Sequence, residues 1–499
     1  MAGRGGRQGR LIVAEMVGLG RGAAARPAFE PGPLTPLSRP ARGAARIGDL
    51  VSVRLRGAGA QVVAVHGPAS SARAALSALL ASEGLGRPFP RPALEEAEEA
   101  AAAALTDDRG RRDLTDSRVI TIDPEGAKDH DDAIAVAREG DAVRLWVHIA
   151  DVAHFVPAGG AVDREAARRG TSVYLPGTVD PMLPPRLSTD LCSLRPGVPR
   201  KAVTVEMLIE PDGEISASRF YRSTIRSERR LTYPEVDRLF EGRGGLGDAA
   251  LEADLAVGRE LAERLRRRRR QRGALEIAST EPSFRFAGDR VVAVELERQT
   301  EAHGLVEECM VAANEAVARY LIARSAPTVF RYHAHPDEVR VERLLDQLEA
   351  LDIPAPPVPE GPLTPVQVAG LARAAGEAVA RHVERTGRGE RSLPSLVLRA
   401  LRQAYYAPDR VGHSGLASSA YLHFTSPIRR YPDVLAHRAL LDALGLGDPG
   451  PDPAWLADAA EESSLAEREA ADLERRGDRM CLAYLVEEEL AEGGWDQVF

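Results

Sequence analysis

The stretch TIDPEGAKDHDDA, Thr121 to Ala133, carries four aspartates: Asp123, Asp129, Asp131 and Asp132. Just before it, Val119 to Ile122 (VITI) reads as a short buried strand. Just after it, Ala133 to Ala137 (AIAVA) reads as the next one, with Pro124, Glu125 and Gly126 turning the chain between them. Asp123 then closes one strand, and Asp131 and Asp132 open the other. Four carboxylates on one strand-loop-strand edge repel each other at neutral pH. A hard divalent cation is the usual offset, and an oxygen-only donor set suits Mg2+ or Mn2+ rather than zinc. On this stretch alone, a solvated acidic loop rich in turn residues is an equal alternative. The spacing is not that of a calcium-binding helix-loop-helix, whose glycine and closing glutamate fall elsewhere.

Working outward, the chain of 499 residues is long enough for two to four domains. Its hydrophobic content of 44% is that of a soluble globular protein with a sizeable core. A net charge of -9 excludes a globally basic protein, so any surface for nucleic acid must be local. Lys128 and Lys201 are the only lysines, so phosphate contacts would mostly be guanidinium forks. Cys192, Cys309 and Cys481 form neither a zinc pattern nor a disulfide framework, which fits a reducing cytoplasm. The apolar patch LIVAEMVGLG is interrupted by Glu15, and no run approaches a membrane span.

Residues 1–68 are expected to form a small basic β-module of partial-barrel type, with strands at Leu11 to Met16, Leu50 to Leu55 and Gln61 to Val65. Met1 to Arg10 reads equally well as an irregular basic arm. Residues 69–115 read as a helical linker, helical over Ala69 to Leu85 and again in an acidic, Ala-rich run. The main domain is expected over 116–490. Strands dominate it as far as Ile225, VRLWVHIADVAHFV included, in a mostly antiparallel sheet. The loop-rich stretch TSVYLPGTVDPMLPPRLSTDLCSLRPG interrupts them, and a long loop in a compact domain is usually functional. Helices follow from Thr232. The run RLRRRRRQ reads as a solvated helix end or a phosphate-binding stripe. In GHSGLASSAYLHFTSPIRRYPDVLAHR, Thr425, Ser426 and Pro427 look like a helix entry, with Arg429 and Arg430 in or near its first turn. Arginines there oppose the helix dipole unless they face an anion. An acidic metal edge and a phosphate clamp together carry the logic of two-metal phosphodiester hydrolysis.

The motifs TIDPEGAKDHDDA, WVHIADVAHFV, RRGTSVYLPGTVDPMLPPRLSTDLCSL, HGLVEECMVAAN and FTSPIRRYPD occur in that order. The chain thereby resembles the ribonuclease II / ribonuclease R (RNB) family of exoribonucleases over most of its length, from about Asp116 to Leu490. The resemblance implies an α+β catalytic domain behind an OB/cold-shock-like module. It implies a Mg2+-dependent, processive, hydrolytic 3'-to-5' exoribonuclease that acts on single-stranded RNA, releases nucleoside 5'-monophosphates and works as a cytoplasmic monomer. By motif match, Asp123, Asp129, Asp131 and Asp132 form the acidic metal site, with Asp131 and Asp132 central to the chemistry. Arg429 contacts phosphate, with Arg430 a weaker candidate. Tyr174 stacks on a base; Tyr233 and one of Glu307 or Glu308 position the terminal nucleotides; Glu474 lines the same cavity. His130, Cys192 and Cys309 are read as packing residues. Family members usually carry a further OB-type domain at the C-terminal end, and residues 491–499 (AEGGWDQVF) lie about where it would begin. Two rival functions are an RNA-binding regulator that keeps the fold without turnover and a phosphatase for small phosphoesters. The second leaves Tyr174 and the long loops unexplained.

Overall fold

A computed structural model describes residues 10–38, 45–103, 110–276, 280–390, 392–447 and 449–493. The proposed basic arm lies almost wholly outside these residues, as does most of the stretch 491–499.

The first module is a five-stranded antiparallel sheet of β1 (Leu11–Leu19), β2 (Gly22–Pro27), β3 (Thr35–Pro36), β4 (Asp49–Arg56) and β5 (Gly59–Pro68), in the order β3-β2-β1-β4-β5. Leu37 bridges Ala60 and brings the two sheet edges together around Ile12, Ala14, Val51 and Val53, giving a small OB-like module. The helices α1 (Ala72–Ser82) and α2 (Arg91–Ala103) follow. Expected as a linker, both are packed into the body. Leu76, Leu79 and Leu80 of α1 are buried. In α2, Ala93, Ala97 and Ala101 form a narrow buried stripe that acidic neighbours mask in the composition. Glu96 accepts from the backbone N–H groups of Ala161 and Val162. These open a later helix, where a carboxylate is favoured by the dipole.

The central element is a closed five-stranded barrel, not an open sheet. It contains β6 (Arg112–Asp123), β7 (Asp132–Glu139), β8 (Ala142–Ala150), β11 (Pro199–Ile209) and β12 (Ile215–Thr232), in the order β11-β12-β6-β7-β8. All neighbours are antiparallel except β12 and β6. Alternate residues Val143, Leu145, Val147 and Ile149 face Val203, Val205, Met207 and Ile209 in one core, the period-two pattern of a half-buried strand. The barrel begins at Arg112, slightly before the expected Asp116.

Between β8 and β11 lie α3 (Val152–Phe155), α4 (Ala161–Arg169), β9 (Val173–Leu175) and β10 (Thr178–Asp180). The reading of VRLWVHIADVAHFV as one strand is corrected: the strand ends at Ala150. Asp151 is fully buried, bound to Arg111 at 2.6 Å and Arg222 at 3.0 Å, and the chain turns into α3 there. After the barrel come α5 (Tyr233–Phe240) and α6 (Ala249–Arg272). Then follows an unexpected hairpin, β13 (Thr280–Ala287) and β14 (Arg290–Arg298). Next are α7 (Glu301–Ala323), which packs on the barrel, and β15 (Phe330–Tyr332). Helices α8 (Glu338–Ala350), α9 (Pro365–Thr386) and α10 (Leu393–Ala400) enclose their own apolar cluster. β16 (Tyr405–Ala407) pairs with β15. Finally, α11 (Tyr431–Ala443) and the long α12 (Pro453–Gly493) lie across the body, α12 touching α1, β9, β14 and β16.

Candidate active site

The acidic stretch is held where β6 ends and β7 begins. Pro124 accepts from the Ala127 N–H to close the turn, and Arg230 donates to the carbonyls of Pro124 and Glu125. Ser193 fixes the loop from the other side: its Oγ accepts from His130 N and donates to the Lys128 carbonyl. Asp123 and Asp131 are buried as a result.

Each aspartate has a different neighbour. Asp129 Oδ2 accepts the Tyr174 hydroxyl at 2.7 Å. Asp131 Oδ1 accepts the backbone N–H of Ile428 at 2.8 Å, a contact between segments 297 residues apart. His130 Nδ1 lies 2.9 Å from Asp123 Oδ2, but both atoms are buried without an aligned hydrogen bond. Burial and the Asp123 carboxylate push Asp132 up to about 7, against the opposing pull of Arg429 and His130. Burial also raises Asp131 well above the ordinary carboxylate value, although Arg429 and the Ile428 amide favour its charged form. The edge therefore lacks positive charge when its carboxylates are ionised.

Arg429 is exposed, its guanidinium touches only Ser426 Oγ at 3.3 Å, and among the described residues it has no ion pair. Its field acts on Asp131, Asp132, Tyr174, Tyr233 and Glu474. Arg430 is spent internally in a two-pronged pair with buried Asp433, at 2.7 and 2.9 Å. Asp433 also accepts from Ser426 N. The expected helix entry at Thr425 is corrected: α11 starts at Tyr431, and residues 425–430 form a turn tied to Asp433, so both arginines precede the helix.

Tyr174 and Glu474 meet, for Tyr174 N donates to Glu474 Oε1 at 3.0 Å. Tyr233 opens α5 behind a capping box of Thr232 and Glu235. Its ring lies parallel to His303, centroids 3.7 Å apart, and feels the charges of Asp132 and Asp123. Glu307 and Glu308 both bind Arg269 of α6, at 3.0 and 2.7 Å. Glu308 is buried there, and burial lifts its carboxyl to about 7. On α7 the Cys309 thiol feels the charge of Asp132. The arginine run of α6 is largely consumed by pairs: Arg268 with Asp212 and Glu214, Arg269 with Glu307 and Glu308, Arg270 with Glu276, Arg272 with Glu315. That favours the structural reading over the phosphate stripe.

Among the described residues no three acidic, histidine or cysteine side chains converge into a closed metal cage. Mg2+ is commonly held by one or two carboxylates, the rest of its shell being water and substrate phosphate. The buried, unpartnered Asp123 Oδ2 and the uncompensated carboxylates fit such a cation. Sequence reading missed Asp433, His303 and the Ile428 amide. The first two had a signal in the spacing of TSPIRRYPD and in the start of HGLVEECM; a backbone donor has none.

The RNB domain family matches residues 111–445. Ribonuclease R of Thermotoga maritima is 39% identical over 389 residues, covering 76% of this chain and 53% of that protein. Ribonuclease R of Escherichia coli is 39% identical over 337 residues, 66% of this chain and 40% of that protein. The chain thus spans about half the length of the curated relatives it matches. Mycoplasma genitalium RNase R in complex with ribose-methylated single-stranded RNA has the same fold. It superposes with a TM-score of 0.82 at 23% identity, covering 96% of this chain and 77% of that one. On the family match over residues 111–445 and the 39% identity to ribonuclease R over 76% of its length, the chain belongs to the RNB domain family.

Proposed function

We propose that this protein is a metal-dependent exoribonuclease that shortens single-stranded RNA from the 3' end and releases nucleoside 5'-monophosphates. The observation that carries the reading is the bond from Ile428 N to Asp131, beside which Arg429, without an ion pair among the described residues, acts on Asp131 and Asp132. Asp123, Asp129, Asp131 and Asp132 are the candidate ligands of Mg2+ or Mn2+. When bound, such an ion activates water and neutralises charge on the leaving oxygen.

The residues of the chain do the rest. Arg429 holds the scissile phosphate and offsets its growing charge. Tyr174, its hydroxyl pinned by Asp129 and its backbone by Glu474, offers a ring face for a base. Tyr233, backed by His303, offers a second. Stacking suits a processive enzyme because it is tolerant of sequence. Glu307, Glu308 and Arg430 hold neighbouring elements in place and are assigned no direct contact with RNA. Cys192, Cys309 and Cys481 are free and buried, and no helix among the described residues could cross a membrane. We read the protein as a cytoplasmic monomer.

The test is a time course on 5'-labelled single-stranded RNA with Mg2+, with EDTA and with Asp132→Asn. Stepwise shortening from the 3' end, absent from both controls, is the expected result. RNA that is bound but never shortened, with Mg2+ and Mn2+ both tried, overturns the reading in favour of an RNA-binding regulator.

A further inference from the structure

The segment from Phe424 to Arg430 delivers both Arg429 and the Ile428 amide to the acidic edge, yet it has no regular structure. The Phe424 peptide is gripped at both its polar groups. Its N–H donates to Asn314 Oδ1 on α7 at 2.9 Å. Its carbonyl accepts from His437 Nε2 on α11 at 2.8 Å. The Asn314 amide in turn donates to the Tyr421 hydroxyl at 3.1 Å, so its orientation is fixed. The His437 ring lies flat on the Phe424 ring, centroids 4.0 Å apart and planes 14° apart. Phe424 and His437 are fully buried and Asn314 is 3% exposed. Two residues on, Asp433 takes over at Ser426 N. At the far end, Ser172 N donates to the Arg429 carbonyl at 2.9 Å.

Backbone groups buried at both ends of a peptide need partners, so some grip is expected on stability grounds. This one also sets position. Between the Phe424 peptide and the Ile428 amide there is only a four-residue path, anchored midway by Asp433. A shift at Phe424 is therefore passed to Ile428 and Arg429. The donor role of His437 requires hydrogen on Nε2, which in the neutral ring means the Nε2 tautomer. Burial keeps the ring neutral, holding its pKa down to about 4.

We propose that Asn314 and His437 are positioning residues, which clamp the Phe424 peptide from two helices and so fix Arg429 and the Ile428 amide against Asp131 and Asp132. This rests on the nuclease reading of the site. Loosening the clamp misplaces a phosphate-binding group, and displacement of about an ångström costs on the order of a hundredfold in rate.

The experiment uses the full chain and steady-state degradation of single-stranded RNA. Asn314→Leu, of similar volume, removes both amide bonds. The expected result is a kcat about a hundredfold down with KM within threefold. In an Arg429→Ala background the same substitution costs less than threefold more, because both changes disable one unit. His437→Gln, which keeps a donor, retains far more activity than His437→Leu. Costs that multiply in the Arg429→Ala background, or a folded Asn314→Leu with wild-type kcat, overturn the proposal. If the leucine variants do not fold, hydrogen exchange of the unmodified protein decides. The Phe424 and Ile428 amides should open together, and Ile428 exchanging more than tenfold faster than Phe424 overturns the clamp. A wild-type protein inert on RNA sinks the nuclease reading instead, a separate outcome.

Discussion

Arg429 and Arg430 are adjacent in sequence and opposite in fate. Arg429→Ala is expected to lower kcat about a hundredfold or more while leaving the melting temperature nearly unchanged, since its guanidinium binds no carboxylate among the described residues. Arg430→Ala strands Asp433, which is wholly buried, and should cost about 3–5 kcal/mol, read by urea unfolding. Asp132 carries a second pair of predictions. Its folded pKa, about 7, is above the unfolded value of 3.8. The folded state then holds a proton that the unfolded state has lost, so this residue makes metal-free stability fall as pH rises from about 4 to about 7. Asp132→Asn should remove that penalty, raising metal-free stability at pH 8 by about 1–3 kcal/mol while abolishing turnover. A cation bound to the ionised edge reverses the penalty as well. Added Mg2+ should therefore raise the melting temperature more at pH 8 than at pH 5, as calorimetry at both values would show.

At the scale of elements, the entry of α5 joins folding to the site. Thr232 and Glu235 cap the helix whose first residue is Tyr233. Thr232→Ala should cost about 1 kcal/mol and, on the proposed role of Tyr233 as a base-stacking ring, raise KM for RNA more than it lowers kcat, because it leaves the acids alone. The predominance of helices after Thr232 was legible, and α6, α8 and α9 carry the apolar periodicity that signals it. The hairpin β13–β14 was not, although Phe284 and Phe286 alternate ahead of a Gly288-Asp289 turn. It sits in a helical run of sequence, and its support is distant: Arg73 of α1 stacks on Phe286 and donates to the Gly177 carbonyl beside the Tyr174 strand. α2 was misjudged for the same reason, since a stripe of three alanines becomes a packing face only when α4 lies against it.

For the whole molecule, the OB-like module sits at one end of α12 and the acidic site midway along it. Met480 and Tyr484 pack with Val13, Leu50 and Ala75, and the Tyr484 hydroxyl donates to the Ala69 carbonyl at 2.5 Å. Six residues before Met480 on the same helix, Glu474 holds Tyr174. The module is therefore attached to the site, not tethered to it. With a chain of net charge -9, its arginines are a local attraction for phosphate. Arg21, Arg54 and Arg56 have no carboxylate partner among the described residues. Replacing all three with alanine should flatten the slope of log affinity for single-stranded RNA against log salt by about 2, at about 0.7 per phosphate contact. An unchanged slope would place the phosphate contacts elsewhere.

The sequence by itself determined the acidic edge, the strands on either side of it, the order of motifs, and Arg429, Tyr174 and Tyr233 as candidates. The acidic edge, its strands and Arg429 are local signals, carried by residue type and spacing along a few turns or strands; Tyr174 and Tyr233 follow only from the resemblance that the order of motifs carries. Only the tertiary structure decided which candidates meet: that Glu474 reaches Tyr174, that Glu307 and Glu308 turn to Arg269, and that Arg430 is consumed by Asp433. It also closed the barrel and supplied the Ile428 amide to Asp131. A side chain's partner is set by packing between distant segments, and a backbone N–H is the same group at every non-proline residue, so neither is written in the identity of the residue that provides it.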